Sequence, residues 1–372
     1  MAKAKRELSK HSENKWAILA LLVVAQFMVV LDVSIVNVAL PSMAKALHFA
    51  GNNLQWVITA YTLTFGGFLL LGGRAADLYG RRKMFIGAVF VFALFSLLCG
   101  LAQSSTEVIF ARAFQGLAGA FMSPAALSIV ISEFKEGKER NTALGIWSAV
   151  SAGGAAVGLL LGGVLTQYLS WRWNFFVNVP VGLIVVFVAL RMLPHHIGEE
   201  NKSTHLDFPG AALATLGLMS LVFGLSKAPN NGWGSTTVWG FIAAGIVLLL
   251  GFFLNERRGD DPMLPLSLFR TRNVLGANIA FLVIACTLFS MFFFMTLYVQ
   301  QLLHYSPVKA GVSFLPVTVL IAVLSGFVAK IVPKVGYKPP MNLGPVVLAI
   351  GLYIIGHTMK IGGNYWHNVF PG

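Results

Sequence analysis

The sequence predicts an all-α polytopic membrane protein with about eleven transmembrane helices. Hydrophobic residues make up 56% of the chain and charged residues 11%, and the mean hydropathy is +0.75. A bilayer favours that much apolar surface, whereas a water-soluble fold could not bury it. The apolar residues form continuous blocks of about 20, the length that a helix needs to cross about 30 Å of hydrocarbon.

The apolar blocks define the order of the predicted helices. We predict eleven spanning segments, at 17–43, 54–76, 84–103, 106–132, 141–167, 174–193, 208–226, 236–254, 274–303, 311–332 and 341–361. The first of these runs is too long for the apolar region of a signal peptide and lacks a small-residue cleavage site, so we expect it to stay in the protein.

The positions of lysine and arginine predict the orientation. Of the 27 basic residues, 21 fall in the N-terminal tail and on the same side as it, 5 fall on the opposite side, and Arg112 lies inside a helix. Positive charge accumulates on the cytoplasmic side of membrane proteins. We therefore expect the protein to lie in the cell membrane with its N-terminus in the cytoplasm. The net charge of +13 needs no nucleic acid partner to explain it.

The longest connection between predicted helices, residues 194–207, predicts a cytoplasmic linker. Its His195, His196 and His205 are candidate metal ligands, but no cysteine and no ordered carboxylate spacing accompanies them, so a solvated linker is the favoured interpretation. The chain has no P-loop, HExxH or GxSxG motif, which argues against an ATP-driven pump and against an enzyme. We expect no cofactor and no bound metal.

Two charged residues lie deep inside predicted helices. Asp32 is the one acid well inside a spanning segment, and Arg112 is the deeply placed base. A charge at that depth costs at least about 2.5–3.5 kcal/mol, so both are candidates for function. Their depths, about 12–16 Å and about 9 Å from the same membrane face, are compatible with an ion pair. The alternatives are a pair that only fixes packing, or a carboxylate that binds and releases a proton while Arg112 tunes it.

The connection between the second and third helices carries a charged cluster. We predict a conformational latch formed by Gly73, Asp77, Gly80, Arg81 and Arg82. Gly80 permits a tight turn, while the acid and the bases can hold helices together in one conformation and release them in another. The alternative is that the basic residues only anchor the chain at the cytoplasmic face.

The fifth predicted helix is rich in glycine, with Gly154, Gly158, Gly162 and Gly163 among its residues. Glycines four residues apart leave one helix face without side chains, which lets another helix approach closely. We predict close packing at this face and a role in gating, because a gating helix must slide against its neighbour.

Several of these patterns occur together in one known family. The sequences Leu31–Pro41, Gly73–Lys83, Arg112–Ala120, Gly158–Gly163 and Trp171–Gly182 lie, in order, on the first helix, loop 2–3, the fourth helix, the fifth helix and its extension. Together they resemble the fourteen-helix drug:proton antiporter branch (EmrB/QacA type) of the major facilitator superfamily. The resemblance links the helix 4 motif, with Gln115 and Gly116 after its arginine, to proton transfer.

The resemblance implies two six-helix bundles, two extra helices between them and alternating access about a central site. We therefore divide the chain into 1–193 as the N-terminal bundle, 194–207 as the linker, 208–254 as two additional transmembrane helices and 255–372 as an incomplete C-terminal bundle. Eleven helices are three fewer than the family has, so we expect a C-terminally truncated chain.

Two positions depart from the family pattern. Leu159 stands where the antiporter motif usually has proline, and Leu78 replaces the common basic residue after Asp77. The function predicted is proton-coupled antiport that exports drugs or other hydrophobic or cationic molecules. A carrier of a native metabolite such as a sugar, amino acid or siderophore is the alternative, followed by a non-transporting scaffold or receptor, for which buried charge has no use.

The substrate site is predicted from polar, aromatic and methionine side chains in the helices. A cavity for amphiphilic compounds would be lined by Gln26, Gln55, Tyr61, Gln115, Met122, Phe292 and Tyr298. Aromatic faces and methionine accommodate varied apolar and cationic ligands. The predicted partners are the lipid bilayer, a small-molecule substrate and protons; the sequence does not identify a membrane-fusion partner.

Overall fold

The protein is helical throughout the part that the structure, a computed structural model, describes: residues 2–49, 51–193, 207–258, 264, 266–336 and 338–371. The helices are α1 Ala2–Ala46, α2 Trp56–Tyr79, α3 Arg81–Leu101, α4 Ser105–Glu133, α5 Lys138–Tyr168, α6 Trp173–Phe176, α7 Asn178–Met192, α8 Phe208–Asn231, α9 Thr236–Arg258, α10 Arg272–Leu297, α11 Pro307–Ser313, α12 Leu315–Val335, α13 Lys338–Thr358 and α14 Tyr365–Asn368. Residues 194–206 of the predicted linker, with its three histidines, lie outside these ranges.

Each predicted spanning segment coincides with one helix or with two consecutive helices. The segment 174–193 is divided into α6 and α7 at Val177, and the segment 311–332 falls on α11 and α12. Within the described residues, ten helices are long and apolar enough to cross a membrane. The chain is therefore a polytopic α-helical membrane protein, as the sequence predicts.

Helices α1 and α5 lie side by side and run in the same direction. A Cβ atom added at Gly154 would meet Val30, and one added at Gly162 would lie 2.8 Å from the carbonyl oxygen of Ile35. Residue numbers therefore rise together along both helices, which is the pattern of parallel packing. The glycine face of α5 lets the two backbones approach closely, as predicted for small residues in membrane helices.

Helices α2, α3, α4 and α7 complete the first bundle. Gly116 of α4 faces the carbonyl oxygen of Tyr61 in α2, and Gly72 of α2 faces the backbone of Ala120. A Cβ atom at Gly182 of α7 would lie 2.7 Å from the Ala93 Cβ atom in α3. These backbone approaches leave little room between the helices.

Helices α8 and α9 form a pair that lies against α2. The Thr215 hydroxyl donates a hydrogen bond to the Gly67 carbonyl at 2.8 Å. Near the start of α2, the Gln55 amide donates to the Ser226 carbonyl at 3.3 Å. The pair that the sequence places between two bundles is thus attached to the first bundle through α8.

The later helices meet the first bundle where α11 lies against α5. A Cβ atom at Gly163 would lie 2.5 Å from the Pro307 carbonyl oxygen, and one at Gly311 would lie 2.7 Å from the Leu159 carbonyl oxygen. The Gln167 side chain also accepts a hydrogen bond from a backbone amide near the start of α11. This contact is at the C-terminal ends of α1 and α5, far from the N-terminus along the helix axes.

Candidate functional site

Asp32 lies near the middle of the first membrane span. That span covers Lys15–Ala46, so Asp32 is 17 residues from its start and 14 from its end. The carboxylate is fully buried, and its Oδ2 atom is 2.5 Å from the Arg112 Nη1 atom. The two deep charges that the sequence singles out thus form an ion pair between α1 and α4.

The Arg112 guanidinium is held on several sides by the first bundle. Its Nε atom donates to the Val57 carbonyl at 3.1 Å, and Nη1 donates to the Gln115 side-chain oxygen at 2.8 Å. The centroid of the Tyr61 ring lies 4.2 Å from the guanidinium carbon. Because Arg112 is only 1% exposed, these contacts replace the water that a charged side chain would otherwise bind.

The other oxygen of the Asp32 carboxylate accepts two hydrogen bonds from amide groups. The Gln115 amide of α4 donates to Oδ1 at 2.9 Å, and the Asn178 amide of α7 donates to the same atom at 2.9 Å. Asn178 also donates to the Ser96 hydroxyl of α3 at 3.1 Å. Three helices, α1, α4 and α7, therefore supply the carboxylate and its partners, α3 supports Asn178, and both oxygens of Asp32 accept from nitrogen.

A buried ion pair of this kind is stable only when its hydrogen-bonding groups find partners. Its chemistry is that of an acid enclosed by donors: proton transfer to Asp32 requires that a donor move away or that the helices separate. Among the described residues, no group of three histidine, cysteine or acidic side chains is arranged to hold a metal ion. The described site is thus a buried ion pair whose carboxylate is enclosed by nitrogen donors from α4 and α7.

A second polar contact between α1 and α4 lies closer to the N-terminus of α1. The Ser123 hydroxyl donates to the Gln26 side-chain oxygen at 2.6 Å, and Gln26 is half-buried. Since Arg112 pairs with Asp32 while Ser123 pairs with Gln26, α1 and α4 are antiparallel. Gln26 is therefore a polar group between Asp32 and the N-terminal end of α1.

Four of the predicted cavity residues lie inside the first bundle, and one of them is Gln26, in its contact with Ser123. Gln115 is fully buried in the ion-pair network, Tyr61 is 2% exposed beneath Arg112, and Met122 is fully buried in the apolar core. Gln55 lies instead at the contact with α8. These residues do not line a common open cavity in this conformation.

The other two predicted cavity residues belong to the later helices. Phe292 packs against Phe314 with ring centroids 5.6 Å apart, and the Tyr298 hydroxyl donates to the Lys360 carbonyl at 2.8 Å. A cavity of about 720 Å³ lies between α10, α12 and α13. Met291 and Met295 help to line it, whereas Phe292 and Tyr298 do not. The predicted set is thus distributed over separate parts of the molecule.

The predicted latch places an acid and a base next to a tight turn. Asp77 accepts from Arg81 at 3.0 Å and 3.1 Å, and both side chains are partly exposed. Helix α2 continues past Asp77 to Tyr79, three residues beyond the end of the predicted segment 54–76. Gly80 follows with a φ of 95°, a conformation that favours glycine, so the turn to α3 depends on this residue.

The second arginine of the cluster binds the end of another helix. Arg82 donates from Nε to the Leu193 carbonyl and from Nη2 to the Leu190 carbonyl, both at 2.8 Å. Leu190 lies in the last turn of α7 and Leu193 directly follows the helix, where backbone acceptors lack helical partners. Gly73 lies further into α2, where a Cβ atom would be 3.6 Å from Pro124 of α4. The cluster therefore connects α2, α3, α4 and α7.

Sequence reasoning did not identify Asn178 or Ser96 as parts of the charged network. Asn178 occurs in the stretch Trp171–Gly182 that resembles the family, and a buried amide in an apolar segment is itself a signal. Ser96 is a single small polar residue in an apolar helix and gives no comparable signal. Its role depends on which face of α3 meets α7.

The comparison with family models matches residues 22–370 to the Major Facilitator Superfamily. The chain belongs to the major facilitator superfamily. Membership of this family indicates transport rather than catalysis. The pair Asp32 and Arg112 thus lies in the first bundle of a multi-pass membrane protein of this superfamily.

Two relatives of similar sequence are a resistance protein and an export protein. The chain is 44% identical over 325 residues to the puromycin resistance protein of Streptomyces alboniger, covering 86% of this chain and 63% of that protein. It is 44% identical over 299 residues to the cephamycin export protein of Amycolatopsis lactamdurans, covering 80% of this chain and 62% of that protein. The chain therefore spans somewhat less than two thirds of the length of these relatives.

Solved structures share the fold at low identity. A peptide transporter crystallised with sulfate superimposes with a TM-score of 0.64 and 16% identity, over 92% of this chain and 75% of that chain. This likeness supports the helical architecture and the packing of the first bundle. It carries no information about the substrate of this protein.

Proposed function

We propose that the protein is a proton-coupled antiporter that exports drugs or other hydrophobic or cationic small molecules by alternating access. The observation that carries the proposal is the fully buried Asp32 carboxylate, paired with Arg112 and enclosed by amide donors. Charge at mid-membrane depth is costly, and a proton-binding acid is a function that justifies it. Two relatives are named for resistance to puromycin and for export of cephamycin, which supports export as the direction of transport.

Alternating access requires that the two halves of the molecule separate on one side at a time. In this conformation α11 closes against α5 near Gly163, at the ends of α1 and α5 remote from the N-terminus. We place the N-terminus in the cytoplasm of the cell, so this contact would close the outer side. The latch residues Asp77, Arg81 and Arg82 would then hold helices near the cytoplasmic side, and the glycine face of α5 would slide during opening.

We also propose that the protein belongs to the fourteen-helix branch of the family. The helices α8 and α9 form a separate pair on α2, as expected for two additional helices between a first bundle of residues 1–193 and a second bundle that starts near residue 255. The further C-terminal helices implied by that branch stay a prediction.

The central experiment is transport by purified protein in liposomes. With an inward-directed or outward-directed pH gradient, puromycin or a cephamycin serves as the probe, and internal pH is followed with a dye. Asparagine has the shape of aspartate but cannot carry a proton, so uphill transport by the Asp32→Asn protein should fall to the level of empty liposomes. Asp207→Asn is the matched control, because Asp207 caps α8 through its side chain and asparagine caps equally well.

Two outcomes would contradict the proposal. Asp32→Asn protein that still couples probe movement to proton movement at the normal rate would exclude Asp32 as the coupling acid. Unchanged protein that moves probe at equal rates with and without a pH gradient would exclude proton coupling. Downhill exchange of a native metabolite with no movement of either drug would favour the metabolite carrier.

The orientation is tested separately by labelling single cysteines. Lys135 lies in the connection from α4 to α5, and Asn231 lies at the end of α8; both are exposed. In a protein without its native cysteines, an impermeant maleimide applied to intact cells should label Asn231→Cys and should label Lys135→Cys only after permeabilisation. Labelling of both from outside would overturn the proposed topology.

A further inference from the structure

The Asn178 amide can present only its nitrogen to Asp32. The Ser96 hydroxyl donates its single proton to the Phe175 carbonyl at 2.9 Å. The Ser96 oxygen must therefore accept from Asn178, whose Nδ2 atom lies 3.1 Å away. Because Nδ2 carries two hydrogens, the same group also donates to Asp32 at 2.9 Å. The hydroxyl thus fixes the direction of the amide.

The Gln115 amide is fixed in the same way. Its oxygen accepts from Arg112 at 2.8 Å, so its nitrogen is the atom turned towards Asp32. A carboxyl proton on the oxygen between Gln115 and Asn178 would point at an N–H group. This arrangement is complementary to the ionised acid and not to the protonated acid.

Helix α7, which begins with Asn178, packs more extensively against α3 than against α1. Asn178 is the first residue of α7, directly after Val177, and it is bonded to Ser96 of α3. One turn later, Gly182 lies against Ala93 of the same helix. A shift of α1 relative to α3 and α7 would therefore separate Asp32 from Asn178 while the Asn178–Ser96 bond persists.

We propose that Asn178 is a positioning residue that keeps Asp32 ionised in this conformation, and that its withdrawal from α1 is the step that lets Asp32 take up a proton. The proposal rests on the proposed function, since it concerns the same acid. It assigns to α7 a part in proton coupling, in addition to α1 and α4.

The surroundings of Asp32 contain few other groups that could dominate its titration. Among the described residues, the charged or titratable side chains near it are Arg112 from α4, Tyr61 from α2 and Cys99 from α3. Helix α5 turns glycines towards α1 at this level. Asn178 is therefore the group that α7 adds to the network, and its removal changes no charge.

The test measures Asp32 directly and needs no transported substrate. Infrared difference spectra of the full chain in liposomes are recorded across pH, and the carboxyl C=O band that vanishes in Asp32→Asn is followed. In Asn178→Ala the ionised acid loses one donor, so the midpoint of this band should move to higher pH by about one unit. Ser96→Ala frees the amide to turn and should give a smaller shift in the same direction.

Asn174→Ala is the matched control. Asn174 is also fully buried, but its amide nitrogen donates to Thr166 at 2.7 Å and not to Asp32. Its replacement should lower stability without moving the band. A band that titrates alike in Asn178→Ala, Ser96→Ala and the control would overturn the role of Asn178 and leave proton coupling by Asp32 intact. If the protein of unchanged sequence shows no titrating carboxyl band for Asp32, both the role of Asn178 and proton coupling by Asp32 are overturned.

Discussion

The contact between α5 and α1 gives a stability prediction with opposite signs at neighbouring glycines. A Cβ atom at Gly158 would lie 2.8 Å from the Ser34 Cβ atom and 3.0 Å from the Leu31 carbonyl oxygen. Ordinary contact begins at 3.4 Å, so Gly158→Ala forces the helices apart by about 0.6 Å. Such overpacking costs about 1–3 kcal/mol. At Gly153 nothing lies within 4 Å, so Gly153→Ala should gain about 0.5–1 kcal/mol of helix stability.

The assay is thermal unfolding of the two variants in detergent, followed by tryptophan fluorescence and by circular dichroism. Gly158→Ala should unfold at a lower temperature than the unchanged protein, and Gly153→Ala at an equal or higher temperature. Gly162→Ala should resemble Gly158→Ala, because a Cβ atom there would lie 2.8 Å from the backbone oxygen of Ile35, which cannot rotate away. If Gly158→Ala is as stable as Gly153→Ala, the close approach of α1 and α5 is refuted.

Two further predictions concern buried and partly exposed charges. Arg112→Leu leaves the buried Asp32 carboxylate without its cation and should lower the free energy of unfolding by about 3–5 kcal/mol. The double variant with Asp32→Asn should recover most of that loss in the same unfolding assay. A double variant that is no more stable than the single one would contradict this prediction. Arg82→Ala should speed hydrogen exchange of the backbone amides in the last turn of α7, because two charge-assisted hydrogen bonds worth about 1.5–3 kcal/mol each are lost. Arg81→Ala breaks only a partly exposed ion pair and should leave exchange in that turn unchanged.

The sequence predicts those features of the fold that depend on hydropathy and on rare residues. The helices are found where the apolar blocks predict them, since a spanning helix needs little more than length and apolarity. Asp32 and Arg112 could be paired because each is the single deep charge of its sign. Gly158 and Gly162 could be predicted to face another helix because four-residue spacing places them on one side.

The sequence does not predict which apolar face meets a helix and which meets lipid. Both faces carry the same residue types, because lipid tails are as apolar as leucine. The attachment of α8 to α2 through Thr215 and the burial of Met122 depend on helix rotation, which hydropathy does not reveal. Asn178 reaches Asp32 only because α7 packs against both α1 and α3, so its part in the network emerges from the tertiary structure.

The charged network and the contact with the later helices meet at α5. One face of α5 lies on α1 beside Asp32, through Gly158, and another lies on α11, through Gly163. Closely packed interfaces shift between discrete arrangements and do not deform continuously. A change at Asp32 that moves α1 would therefore displace α5 and, with it, the contact at Gly163. Within the described helices, this continuous path of backbone contacts connects the proposed proton site to the proposed gate.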